Sequence, residues 1–499
     1  MRLPPSYPMA LLAALITLTP IVILITLATD ASSLFDNHNL KILGNTLSLM
    51  VLTVIGSICI GVPLAFISAY VHLPFKRVWL VFFAAPLAIP SYIGAFTLYA
   101  AFGSGGEIHN LLGIELPSIH GLSGAAIVMT LYTFPFVMMT TRSSLLSLDA
   151  SMVNAARTLG MSMTQSVFKV ILPRVVNGIA AGSLLVALYT LSDFGTPAMM
   201  RLDTFTRVIY VEYNSYELSR AAMLSLQLLV IVGFLLLIES QIKTASERHG
   251  RALMLFPSKW QLGAMFATFA PILLLAIGLP LTIFSLWLAR DGFSSFDFSI
   301  AWNSAYASAI AAVVAVIVAI PVAHAALSGK TGRVMERVTY FGFGIPGIVM
   351  GTALVHGGLQ LPFLYQTLGL LIIAYMLRFL PLAVGSVRTS TEHLDPSLVK
   401  SARVLGASSR EAFTRITLPL TMRGIIAGAA LVFLESMREL EATLLLGPTG
   451  FETLSTYLWR VYEAGYFGRA AIPGLLLVLI SACGLAIMMS GEKRNQPEH

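Results

Sequence analysis

Apolar residues in this chain gather into long runs separated by short polar segments, and most runs reach the roughly 20 residues that an α-helix needs to cross a hydrocarbon core. Six runs fall at 9–29, 42–71, 78–102, 121–146, 175–200 and 222–240. Six more fall at 262–289, 303–328, 338–358, 366–387, 420–446 and 471–490. The pattern predicts about twelve transmembrane helices in an all-α polytopic membrane protein. The first run follows Arg2 and ends against Asp30 with no small-residue cleavage site, so it reads as a retained helix rather than a signal peptide. Pro63, Pro86, Pro90, Pro321 and Pro346 lie within predicted spans and are expected to kink them.

Composition excludes the soluble alternatives. Hydrophobic residues make up 57% of the chain and charged residues 11%, too few charges to cover a water-soluble surface. Cys59 and Cys483 sit in separate apolar runs, which excludes a disulfide scaffold. The net charge of +7 points to membrane orientation rather than to nucleic acid. Of the 31 Lys and Arg residues, 22 fall on one side if the N-terminus is inside, in groups such as Lys76–Arg77, 142–174, 243–259, 330–337 and 388–423. Lys and Arg accumulate in cytoplasmic loops, so both termini are expected in the cytoplasm.

The polar stretch 241–261 divides the chain into repeats at 1–240 and 262–499 and reads as a cytoplasmic linker. Asn45–Pro63 parallels Asn303–Pro321, AARTLG at 155–160 parallels SARVLG at 401–406, and Leu172-Pro173 parallels Leu418-Pro419. Six spans per repeat give the two copies the same orientation, a parallel rather than an inverted repeat. The loops at 149–173 and 395–419 carry the most information. Asp149 and Asp395 suit helix N-caps, the latter followed by Pro396 at the first helical position. A short Ala-rich helix follows, then Gly160 or Gly406 for a left-handed helix end, then a second short amphipathic helix up to Pro173 or Pro419, where the next span is expected to begin. Two such knobs at the same place in each repeat imply a partner with two equivalent sockets.

These loops resemble the "EAA" loop of binding-protein-dependent ABC importer permeases. The first copy is Asn154, Ala155, Ala156, Gly160, Val170, Leu172 and Pro173; the second is Lys400, Ser401, Ala402, Gly406, Ile416, Leu418 and Pro419. Asn154 and Lys400 stand where the family pattern opens with Glu. The resemblance spans nearly the whole chain and implies two fused permease domains of the type I importer kind. It also implies that each loop docks as a coupling helix on one subunit of an ABC ATPase homodimer that supplies ATP. This chain itself is not expected to be an enzyme or to bind a cofactor. Gly329-Lys330-Thr331 echoes the end of a phosphate-binding loop, but His324 occupies the place of its first glycine and the preceding segment is a membrane helix.

The segments LSDFGTPAMMRLDTFTRVIY (191–210) and MRELEATLLLGPTGFETLSTYLW (437–459) resemble signatures of the ferric-iron subgroup. That resemblance implies Fe3+ as substrate, a periplasmic ferric-binding protein as partner and a multi-pass place in a bacterial inner membrane. Permeases for thiamine, phosphonate or another small solute are the alternative within the class. An ion-gradient-driven secondary transporter of twelve helices is the alternative outside it. Asp193 aligns with Glu439 between the repeats, and Glu435 and Glu441 lie beside the latter. Carboxylates inside a membrane are costly, so these four are candidates for the translocation path, with Asp193 and Glu439 as transient metal ligands. The competing reading has Arg438 neutralise Glu435 or Glu441 and Arg378 pair with another. His324 and His356 read as hydrogen-bonded packing residues.

Overall fold

A computed structural model describes residues 6–28, 36–103, 105–239, 241, 255–292, 296–392 and 394–492. Of the expected linker, 242–254 lies outside the described residues, as does the basic tail from 493. The described chain is helical, with one isolated bridge between Val71 and Leu255.

Ten numbered helices make the first repeat: α1 (Ser6–Leu27), α2 (Asn37–Tyr70), α3 (Lys76–Ala88), α4 (Ser91–Ala101), α5 (Gly121–Leu146), α6 (Ala150–Thr158), α7 (Met163–Ser192), α8 (Gly195–Met199), α9 (Phe205–Asn214) and α10 (Leu218–Glu239). The second repeat follows the same order. Its helices are α11 (Lys259–Asp291), α12 (Ser299–Leu327), α13 (Lys330–Gly344), α14 (Gly347–Leu359), α15 (Leu368–Glu392), α16 (Pro396–Val404), α17 (Ser409–Met437), α18 (Glu441–Leu446), α19 (Leu454–Ala464) and α20 (Ala471–Glu492). Among the described residues ten helices are long and apolar enough to cross a membrane, or twelve if each of two bent pairs counts as one span. Large apolar side chains such as Leu12, Ile25, Val230 and Ile317 are exposed on them, as lipid-facing surface requires.

The bent pairs correct the expectation of simple kinks. α3 and α4 meet at 87°, and α13 and α14 at 102°. Pro90 and Pro346 sit at the N-caps of α4 and α14, each preceded by an extended isoleucine, Ile89 or Ile345. A residue before proline is pushed out of the helical region, so the chain turns a corner at these positions rather than bending smoothly. Pro63, Pro86 and Pro321 stay inside helices.

The fifth span of each repeat differs too. The sequence places its start at Pro173 or Pro419, but α7 and α17 run through these prolines from Met163 and Ser409. A π-helical turn comes just before each proline, at Val167–Ile171 and Phe413–Thr417, with Leu172 N–H donating to Val167 O and Leu418 N–H to Phe413 O. The wider turn lets the ladder pass a residue that lacks an N–H and clashes with the carbonyl four residues back. The same device recurs in α11, where a π turn at Leu274–Gly278 precedes Pro280. There the carbonyl four residues before the proline, Ala276 O, accepts the Tyr132 hydroxyl at 2.8 Å, so the orphaned acceptor is satisfied by a neighbouring helix. At their other ends the runs at 175–200 and 420–446 are not single helices: α7 stops at Ser192 and α17 at Met437, and the short helices α8 and α18 follow.

Helix packing repeats with the sequence. Gly178 and Gly182 on α7 leave no room for a Cβ against Ser144 and Thr140 of α5; Gly424 on α17 does the same against Ser390 of α15, and a Cβ at Gly428 would be in tight contact with Ala383. These are small-residue contacts of the Gly-x-x-x-Gly kind.

The compact units are not the sequence halves. One is made of Met1–Ala31, Ile209–Leu226 and Asp297–Arg460; the other of Ser32–Val208, Gln227–Phe296 and Val461–His499. In the first unit α1 packs on α12, α13 and α14; in the second α11 packs on α4 and α3, and α20 packs on α11 and α3. The opening helix of each repeat is thus packed into the other repeat.

Candidate functional site

The loop at 149–173 is built from local hydrogen bonds. The Asp149 carboxylate accepts the Ser151 N–H at 2.9 Å and caps α6. At its end Gly160 has φ +87°, Gly160 N–H donates to Arg157 O, and Met161 N–H donates to Ala156 O. This is a Schellman closure, which needs the left-handed residue that glycine supplies. Ser162 and Gln165 then form a reciprocal capping box that starts α7. The second loop repeats each step. Asp395 accepts Ser397 N–H at 2.8 Å, Gly406 has φ +93° with the same closure onto Arg403 and Ala402, and Ser408 with Glu411 forms the capping box. The Ser397 N–H holds the Asp395 carboxyl below the usual carboxylate range, so this cap is charged at neutral pH.

Each knob has an inner and an outer face. On α6, Ala150, Val153 and Ala156 are buried, and Ala150 and Val153 join the core around Leu64, Ala65, Tyr70, Leu145 and Val175. Asn154, Ala155 and Arg157 are exposed, as are Pro173 and, on the second loop, Lys400, Ser401 and Pro419. Ala402, Leu172 and Leu418 are half-buried. Leu159 and Leu405, equivalent residues at the ends of α6 and α16, are 83% and 87% exposed, and Val404 is 87% exposed. Sequence reasoning missed an ion pair between α15 and α13: Arg388, near the end of α15, grips both oxygens of the buried Glu336 of α13 at 2.9 and 2.7 Å. The sign was a lone Glu in the cationic segment 330–337.

The four carboxylates stand around the turns that follow α7 and α17. Asp193 accepts the Ser91 hydroxyl at 2.5 Å and the Thr196 N–H at 2.9 Å, and its own carbonyl accepts from Thr206. Glu439 occupies the matching place, accepting the Ala442 N–H at 2.9 Å while its carbonyl accepts from Ser455. Both therefore hold the first turn of a short helix, α8 or α18. In the second repeat the Arg378 guanidinium of α15 pairs with Glu439 at 2.7 Å and Glu441 at 3.2 Å. Glu435 pairs with Arg438 one turn away. The arginine pairings of the competing reading are thus present, with Arg378 serving two carboxylates. Gly347, at the start of α14, lies so close to this cluster that a Cβ would overlap Arg378 Nη1. Ser91 and Gly347 are equivalent, each following the proline at a right-angle bend. Among the described residues no group of three or more His, Cys, Asp or Glu is placed to hold a metal ion.

The family model of the binding-protein-dependent transport system inner membrane component matches residues 61–249 and 315–494. The chain belongs to this family. It is an ABC importer permease, a multi-pass protein of the inner membrane, and the gradient-driven alternative is set aside. The two matches make the permease a fused pair of family domains, and neither includes α1 or α11, the helices exchanged between repeats. The permease is 30% identical to the Fe(3+)-transport system permease protein FbpB 2 of Haemophilus influenzae over 91% of this chain and 90% of that one. It is 20% identical to the ferric transport system permease protein FbpB of Actinobacillus pleuropneumoniae over 89% of this chain and 70% of that one. A probable molybdenum ABC transporter permease protein of Haloferax volcanii is 28% identical over 45% of this chain and 84% of its own length.

Proposed function

We propose that this permease carries Fe3+, delivered by a periplasmic ferric-binding protein, into the cytoplasm, driven by a homodimeric ABC ATPase on separate polypeptides. The pair of matched knobs carries the energy-coupling part of the reading. Their caps and Schellman closures agree bond for bond, and each presents an almost fully exposed leucine at a polar helix end. An exposed leucine at the equivalent place on each knob supports paired docking on two identical clefts. The excess of Lys and Arg on the side of the loops supports a cytoplasmic position for them and for both termini. Nucleotide-driven closure of the ATPase would then draw the coupling helices together and switch the path between its two openings.

Support for iron comes from the relative named for Fe(3+) transport, matched along nearly its whole length, and from the sign of the intramembrane charge. Glu435, Glu439 and Glu441 outnumber Arg378 and Arg438 in one unit, and Asp193 in the other is held by the Ser91 hydroxyl and the Thr196 N–H; an acidic balance of this kind favours a cation over an anionic cargo. Asp193 and Glu439 are the proposed transient oxygen ligands, at matched positions in the two repeats. The test is uptake of radiolabelled iron by the purified complex with its binding protein in proteoliposomes, with molybdate and a phosphonate as competing cargoes. Asp193→Asn with Glu439→Gln is expected to lower iron import per folded transporter at least tenfold. Import unchanged after that normalisation would leave both carboxylates as helix caps only, and uptake of a competing cargo in place of iron would overturn the substrate assignment.

A further inference from the structure

The corner between α2 and α3 carries a surface that the transport reading does not use. Leu255, in the described last part of the inter-repeat linker, is tied to this corner by Leu255 N–H to Tyr70 O at 2.7 Å and His72 N–H to Leu255 O at 2.9 Å. Phe256 then stacks on His72, with ring centroids 5.4 Å apart and planes 27° from parallel. Below this point α3 and α11 run side by side, joined by Trp79 and Phe83 of α3 against Phe266 and Phe269 of α11 at 4.8 to 5.4 Å. Two apolar helices therefore begin at one level, next to each other.

At that level three aromatic rings stand out from the protein. Phe75 is 82% exposed, Phe256 76% and Trp260 85%. Phe75 also has φ +55°, a left-handed conformation that a bulky residue rarely adopts. Strain of that kind persists where the surroundings hold it and is concentrated at functional positions. Arg77 and Lys259 are exposed and lie within three residues of these rings along the chain, and Lys76 is half-buried with its ammonium on Ala69 O. Segments 70–81 and 255–263 contain no carboxylate. In the second repeat Thr331 stands where Phe75 stands in the first, so the ring is peculiar to one repeat.

We propose that this corner binds the headgroups of anionic phospholipids, with Arg77 and Lys259 on the phosphate and Phe75, Phe256 and Trp260 seated at the boundary of the acyl chains. The position selects the occupant: each cation opens an apolar helix, so the site lies at the water–hydrocarbon interface, where aromatic rings and basic side chains engage lipid. Charge complementarity selects anionic lipid. The consequence is structural, because α11 belongs to the second repeat and α3 to the first, and a lipid held by both strengthens the exchange of helices between repeats.

The test uses the full chain in nanodiscs of phosphatidylcholine alone and of phosphatidylcholine with phosphatidylglycerol, read by thermal unfolding and by native mass spectrometry of retained lipid. The unmodified protein is expected to melt higher with phosphatidylglycerol and to retain it, with both effects weakening as salt is raised. Arg77→Gln with Lys259→Gln is expected to lower that retention on the order of tenfold and to abolish the rise in melting temperature, while leaving melting in pure phosphatidylcholine unchanged. Trp260→Ala, which keeps the charges, is the second variant and should lower retention less. An equal phosphatidylglycerol effect in the charge variant and the unmodified protein would overturn the proposal. So would loss of ATPase binding in that variant with its lipid response intact, which would assign the corner to the protein partner.

Discussion

Glycines in this permease are required for two opposite reasons. Gly160 and its counterpart Gly406 have open space where a Cβ would go, but their φ values are +87° and +93°. Gly347 has an ordinary backbone and no space, because Arg378 lies against its Cα. Gly160→Ala should therefore cost about 1 kcal/mol of local backbone strain with no clash. Gly160→Pro or Gly406→Pro cannot reach the required φ and also removes the N–H that closes the helix onto Arg157 or Arg403. Either proline variant is expected to insert normally but to hydrolyse ATP, when assembled with its ATPase, without matching transport; import per ATP consumed is the measurement. Gly347→Ala should instead lower the melting temperature of the detergent-extracted protein, by an overpacking cost of roughly 1–3 kcal/mol, because the guanidinium is held in place by Glu439 and Glu441.

At the scale of the element, proline has three outcomes that depend on what surrounds it. In the middle of α2 and α12 it stays within the helix; before α4 and α14 it turns the chain through about a right angle; at 173, 280 and 419 it is carried by a π turn. The third case leaves a carbonyl without its intrahelical partner, and the Tyr132 hydroxyl of α5 fills that role for Ala276 of α11. Tyr132→Phe keeps the ring and removes only this bond. It is expected to destabilise the protein by about 1 kcal/mol, in the range of interhelical hydrogen bonds in membranes, as a lower melting temperature with the expression level maintained. Pro280→Ala combined with Tyr132→Phe should recover most of that loss, because alanine restores the N–H that the carbonyl lacks. One arginine tie differs between the repeats. Arg388 holds Glu336 in the second, while the aligned positions in the first are Arg142 and Leu80, so this carboxylate pairing has no counterpart at the aligned positions.

For the whole molecule, the exchange of α1 and α11 means that neither repeat is a folding unit alone. Removing residues 262–499 takes away α20 and nearly all of α11, which cover α3 and α4, and takes from α1 the helices it packs on. The truncated chain is expected to be degraded or aggregated in the membrane fraction and to recruit no ATPase, since one knob also lacks the avidity of paired docking. Co-purification of the ATPase with the first repeat at normal yield would contradict both arguments.

Features governed by near neighbours along the chain were legible in the sequence. Hydropathy alone located the spans, because the bilayer imposes a length on each apolar run. The Asp caps and the glycine ends of α6 and α16 were readable because capping joins residues two to five apart. The repeat was readable because two copies of one pattern lie in register. What only the tertiary structure decided involves partners far apart in sequence. The pairing of Arg378 with Glu439 and Glu441 spans 61 and 63 residues, and the Tyr132 bond to Ala276 spans 144. The exchange of helices between repeats, and the sharpness of the turns at Pro90 and Pro346, also depended on which surfaces were on hand to pack against. Inside a bilayer one apolar helix face is nearly as soluble in lipid as another, so hydrophobicity does not choose a partner. Small-residue contacts, buried charges and orphaned carbonyls make that choice, and it is settled only when the helices meet.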